Sequence, residues 1–106
     1  MKIFNHEPII KTIQNGLQIT FTNRYTVLLK NGPGTASTQI KTIEDPADYL
    51  LATRFGGIAS PDVECEIYDR NLNNITSKFT SNNESVLGYV TPMELVNLLY
   101  VVSALS

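Results

Sequence analysis

The stretch Asn15-Gly-Leu-Gln-Ile-Thr-Phe-Thr-Asn-Arg-Tyr-Thr-Val-Leu-Leu-Lys-Asn-Gly-Pro-Gly-Thr35 decides the fold. Leu17, Ile19 and Phe21 alternate with Gln18, Thr20 and Thr22, the period-two pattern of a half-buried strand. Asn15-Gly16 just before them is a tight-turn signal, and Ile9, Ile10 and Ile13 supply a preceding strand. Asn23-Arg24 separates the alternating run from Tyr25–Lys30, which is hairpin spacing. The spacing therefore predicts an antiparallel sheet of hairpins. Its third strand ends in Asn31-Gly-Pro-Gly-Thr35, a turn whose glycines leave backbone amides bare. Such a turn cradles an anion or simply reverses the chain.

Working outward, Thr35–Ile43 is rich in Thr, Ser and Ile and reads as a further strand. Asp45 as N-cap with Pro46 at the first helical position starts a short middle helix through Arg54, and Gly56-Gly57 ends it. Val63, Cys65 and Ile67 alternate with Glu64, Glu66 and Tyr68 in another strand, Asp69–Asn74 is a polar loop, and Ile75–Phe79 is expected to return as its hairpin partner. Thr91-Pro92-Met93-Glu94 is a capping box with proline where its missing donor costs nothing. The helix it opens, from Pro92 to about Leu105, is apolar almost all round. A helix apolar on every side has to be covered on every side. One face meets the sheet; the other meets a second copy of the chain, or else the N-terminal segment or the Pro46–Arg54 helix folds over it. The expected architecture is α+β: an antiparallel sheet of hairpins, a short middle helix and a C-terminal helix packed on the sheet, all in one domain spanning residues 1–106.

Bulk properties narrow the function. Of 106 residues, 42% are apolar and 17% charged, which is globular rather than disordered composition. A formal net charge of −2, with eight scattered Lys and Arg, disfavours duplex nucleic acid as the main partner. The single cysteine, Cys65, cannot form an internal disulfide, and Met1-Lys-Ile-Phe-Asn-His-Glu7 turns polar too early for a signal peptide, so a cytoplasmic location is expected with no membrane span.

Catalytic chemistry is sparse. His6 is the only histidine, which leaves no two-histidine metal site within one chain, and neither a metal nor a cofactor is expected. Cys65 falls on the inward face of its strand, and the serines lie outside any Gly-x-Ser-x-Gly context. Glu64 and Glu66 share one strand face about 7 Å apart, where a solvated surface explains them better than a glycosidase pair does, given the absence of tryptophan. The chain reads as a non-enzyme.

Binding chemistry offers more. Gly32, Gly34 and Thr35 present turn amides and a hydroxyl, although Pro33 removes one donor. Arg54-Phe55 sets a guanidinium beside an aromatic ring, which suits a phosphate attached to a base; it also serves as a helix C-cap with a core phenylalanine. Arg24 and Arg70 lie in the two hairpin loops. The residues nominated for a small nucleotide-like ligand are Arg24, Tyr25, Gly32, Gly34, Thr35, Arg54 and Phe55, with arginines on the phosphates and Tyr25 or Phe55 stacked on the base.

The segments Tyr25-Thr-Val-Leu-Leu-Lys-Asn-Gly-Pro-Gly34, Asp62-Val-Glu-Cys-Glu-Ile-Tyr68 and Val86-Leu-Gly-Tyr-Val-Thr-Pro-Met-Glu94 together resemble a group of small phage and prophage proteins. That group carries a T-V-x-x-x-x-G-P-G strand end, a D-x-E-x-x-I-Y/W strand and an x-G-Y-V-x-P-E-E helix start. The chain departs from it at Met93, where an acid is more usual, and in a longer insert around Pro46–Gly57. Among phage proteins of this size the resemblance implies an anti-defence role akin to the Thoeris sponge proteins: non-catalytic homo-oligomers that sequester a nucleotide-derived immune signal. The alternatives it leaves open are a protein-interaction inhibitor of a host defence enzyme and a structural or accessory phage protein.

Overall fold

The computed structural model describes residues 8–38 and 60–106. Five strands form one antiparallel sheet in simple sequential order: β1 Ile9–Ile13, β2 Gly16–Thr20, β3 Thr26–Lys30, β4 Val63–Tyr68 and β5 Leu87–Val90. A 3-10 turn, Thr76–Phe79, lies between β4 and β5, and a C-terminal helix, α1, spans Pro92–Ser103. The α+β class and the sheet of hairpins are as the alternation predicts. The expected middle helix at Pro46–Arg54 lies outside the described residues.

The β1–β2 hairpin turns at Gln14-Asn15, with Asn15 at φ 64° and Ile13 opposite Gly16. Gly16 is therefore the first residue of β2 rather than part of the turn. A Cβ there would stand 1.7 Å from the Leu29 carbonyl oxygen on β3, so close backbone approach is what demands glycine. The β2–β3 hairpin closes through Phe21 and Tyr25: the Phe21 amide donates to the Tyr25 carbonyl and the Arg24 amide to the Phe21 carbonyl, both at 2.9 Å. Thr22–Arg24 is thus a three-residue loop whose last member, Arg24, takes the left-handed conformation at φ 73°.

Register explains the two faces of the sheet. Ile19 stands opposite Val27 and Val27 opposite Ile67, while Leu17, Leu29 and Cys65 form a second row. Beyond the exposed Leu17, these residues belong to the core side of the sheet, where α1 presents Leu95, Leu98, Leu99 and Val102 at helical spacing to Val27, Leu29, Cys65, Ile67, Ile75 and Val90. Val27, Cys65, Ile67 and Val102 are fully buried. The opposite face carries Gln18, Leu28 and Glu66 side by side, and Lys30 reaches Glu66 at 3.7 Å.

One expected strand is replaced, and another is absent over its described part. Ile75–Phe79 does not return as a hairpin partner of β4. The Ile75 amide does bond to the Ile67 carbonyl at 2.8 Å, but the Ile67 amide is taken by the Thr76 hydroxyl at 2.9 Å. A side chain thereby substitutes for the next backbone carbonyl, and the chain is released into the 3-10 turn. The other half of the β4 edge is filled by β5, with Val63 opposite Val90 and Cys65 opposite Leu87. Thr35–Thr38, the described part of the expected Thr35–Ile43 strand, is likewise no strand. It is a turn held by side chains, and the remainder lies outside the described residues. Thr38 and Ser60 are joined: Asp62 accepts from the Thr38 amide and hydroxyl, and the Ser60 hydroxyl donates to the Thr38 carbonyl at 2.9 Å. These bonds hold the Asp62 carboxyl below its ordinary range, the Thr38 hydroxyl foremost.

Candidate functional site

Arg24 and Tyr25 sit where the β2–β3 hairpin meets the end of α1. Helix ends leave backbone carbonyls without intrahelical partners, and here Asn23 supplies them. Its amide nitrogen approaches the carbonyls of Val102, Leu105 and Ser103 at 2.8, 3.0 and 3.3 Å, so two N–H groups are shared among three acceptors. The Asn23 side-chain oxygen accepts the Tyr25 amide at 3.1 Å. Arg70 covers the assembly: its Nε donates to the Asn23 carbonyl at 2.8 Å and its guanidinium lies 5.4 Å from the centre of the Tyr25 ring. The Tyr25 ring, nominated to stack on a base, thus stacks on an arginine of its own chain. Arg24 is exposed at the tip of the loop.

The Gly-Pro-Gly turn lies at the other end of β3. Gly32 and Gly34 both have positive φ, 100° and 84°. The Gly32 and Thr35 donors are engaged from within. The Gly32 amide donates to the Ser37 hydroxyl at 3.3 Å and the Thr35 amide to the Gly32 carbonyl at 3.2 Å. The Thr35 hydroxyl contacts the Gly32 carbonyl at 2.6 Å and the Ser37 hydroxyl at 2.7 Å. The next amide, Ala36, donates to the Glu64 carboxylate at 3.2 Å, and the Ala36 carbonyl receives the Tyr89 amide at 2.8 Å. The Glu64 carboxylate of β4 thus sits one residue beyond the turn, on the Ala36 amide.

The five described nominees therefore fall into two groups. Arg24 and Tyr25 stand at one end of β3 and Gly32, Gly34 and Thr35 at the other, on the order of 20 Å apart at the rise of an antiparallel strand. Arg54 and Phe55 lie outside the described residues. Several carboxylates are also engaged in holding the chain. Glu94 completes the capping box on Thr91, whose amide donates to it at 3.0 Å and whose hydroxyl donates at 2.8 Å; these bonds, the amide first, lower its pKa. The Asn73 amide, followed by that of Asn71, does the same for Asp69. Burial, with the nearby Glu64 charge, pushes the Cys65 thiol up to about 12, which leaves it a protonated core residue. Among the described residues no group of three or more His, Cys, Asp and Glu is placed to hold a metal ion, and no helix is long and apolar enough to cross a membrane.

What the structure does assemble is an apolar surface. A groove of about 310 Å3 runs between α1 and the sheet edge, walled by Phe79, Leu87 and Val90 on one side and Leu98 and Val101 on the other, with Asn97 and Glu94 as its polar members. Beside it, the outer face of α1 exposes Met93 at 72%, Val96 at 60%, Tyr100 at 75% and Val101 at 47%. That face carries apolar side chains with Asn97 among them and no charge besides the capped Glu94. The helix pattern announced it; the groove depends on Phe79 and Leu87, which only the tertiary fold brings to the helix. No protein-family model, curated protein or solved structure matches the chain.

Proposed function

We propose that this chain is a non-enzymatic protein-binding module whose working surface is the outer face of α1 together with the adjoining groove. One observation carries the reading: large apolar side chains stand contiguous and solvent-exposed beside a concave apolar slot. Monomeric surfaces seldom leave such a patch unless a partner uses it. The non-catalytic part is supported by the roles of Asp62, Glu64, Glu66, Asp69 and Glu94, each engaged in a structural contact. Sequestration of a nucleotide is the less favoured reading, because its described nominees stand at opposite ends of β3 and the Gly32 and Thr35 amides serve their own chain.

A display library of helical peptides tests the proposal, selected on the wild-type chain and counter-selected on Val101→Asp. Amphipathic sequences that bind the wild type and lose binding on Val101→Asp are expected. A library that yields no binder sensitive to Val101 removes this surface as the working one.

A further inference from the structure

We infer that the occupant of this surface is a second copy of the chain, docked through α1 about a two-fold axis. The inference rests on the protein-binding reading above and names the partner. A two-fold contact requires one surface to be complementary to itself, so that residue i meets j and j meets i. The surface here has that property. It carries protruding side chains, Met93 and Tyr100, next to a slot lined by Leu87, Leu98 and Val101, and a two-fold axis sets each copy's protrusions toward the other's slot.

Spacing along the helix places the axis. Met93, Val96 and Tyr100 follow one another by three and then four residues, the interval of a seam between two helices. In an antiparallel pair centred near Val96, Met93 of one copy faces Tyr100 of the other, a thioether against an aromatic ring, and Val96 faces its own symmetry mate. Charge does not oppose the arrangement. Across the span from Pro92 to Ser103, Glu94 is the single ionisable carboxylate, and its charge is already held by the Thr91 amide and hydroxyl.

The size suffices. The exposed fractions of Met93, Val96, Tyr100 and Val101 correspond to on the order of 500 Å2 per copy, hence about 1,000 Å2 for the pair before the groove walls are included, which reaches the lower bound of a specific interface. A contact of that size is reversible and depends on concentration, and its central aromatic carries much of the affinity.

Sedimentation velocity of the full chain over a concentration series, alongside Val96→Glu and Tyr100→Glu, tests this directly. A mass rising from 11.8 kDa toward twice that value is expected, with either substitution weakening association by about 100-fold. Circular dichroism melts confirm that the variants remain folded. In parallel, Val96→Cys should form an intermolecular disulfide under mild oxidation while Lys11→Cys, exposed on β1, should not; Cys65 is buried and does not interfere. A chain that stays monomeric throughout overturns the second copy as occupant. So does a dimer that ignores Val96→Glu or cross-links as readily through Lys11→Cys. If that monomer still selects Val101-dependent peptides, the protein-binding reading stands and only the identity of the partner falls; if it selects none, both fall.

Discussion

The two faces of α1 are built from the same residue types and meet opposite fates. Toward the sheet, Leu95, Leu98, Leu99 and Val102 close over Ile67 and Cys65, and Val102 reaches complete burial. Away from it, Met93, Val96 and Tyr100 are as apolar and remain largely exposed. The inner face follows from folding, since burying each large aliphatic side chain contributes roughly 1.5–3 kcal/mol. Among the described residues the outer face has no such reason within one copy. An ordinary amphipathic helix would carry lysine or glutamate there at no cost to the core. The difference teaches that apolarity on the inner side measures stability, whereas on the outer side it measures a contact still to be made.

Substitutions on and around the helix break or sharpen that contrast. The largest effect is expected beneath the inner face: Ile67→Ala should lower unfolding free energy by about 2–5 kcal/mol, measured by urea denaturation, because its site is fully buried under α1. Asn23→Ala should cost about 1–2 kcal/mol and increase amide exchange in the last turn of α1, since the carbonyls of Val102 and Leu105 lose their donor. Arg24→Gly should raise stability by roughly 0.5–1 kcal/mol, because glycine relieves the left-handed backbone at φ 73°. A loss of function in that well-folded variant would revive Arg24 as a ligand residue. On the outer face, Tyr100→Ser should shift the stability of the monomer by no more than about 0.5 kcal/mol while abolishing partner binding; a large destabilisation would make the outer face a structural one.

The smallest effect concerns acid. Glu94 has a folded pKa below its ordinary 4.5, so the stability it adds is present above that pH and is lost as pH falls through the folded value. Glu94→Gln should therefore flatten the acid limb of the stability profile below the ordinary carboxylate value of 4.5, read from thermal melts, and leave neutral pH little changed.

Local patterns in the chain reveal the elements whose partners are near. The alternation of Leu17–Phe21 and Tyr25–Lys30 marks the hairpins, and Thr91-Pro92-Met93-Glu94 marks the helix start, because periodicity and capping are short-range physics. The same patterns mislead where a side chain replaces a backbone partner. Thr76 ends the pairing of the Ile75 segment with a hydroxyl, which no propensity encodes. Leu87–Val90 escapes a periodicity reading because it is short, includes Gly88, and holds Tyr89 at φ 55°. The candidate site follows the same division. Of the bare amides expected at Gly32, Gly34 and Thr35, that of Gly32 is met by Ser37 and that of Thr35 by the Gly32 carbonyl; Asn23 serves a helix end far along the chain. The all-round apolar helix, by contrast, carries its message in its own residues.

Oxidation of Met93 by dilute peroxide, followed by peptide mass mapping across a protein-concentration series, tests the central claim most directly. Met93 is 72% exposed on one copy. Sulfoxide formation should be fast at low concentration, slow as concentration rises, and stay fast at every concentration in Val96→Glu. A rate that is independent of concentration and the same in both proteins would show that the outer face of α1 does not meet a second copy.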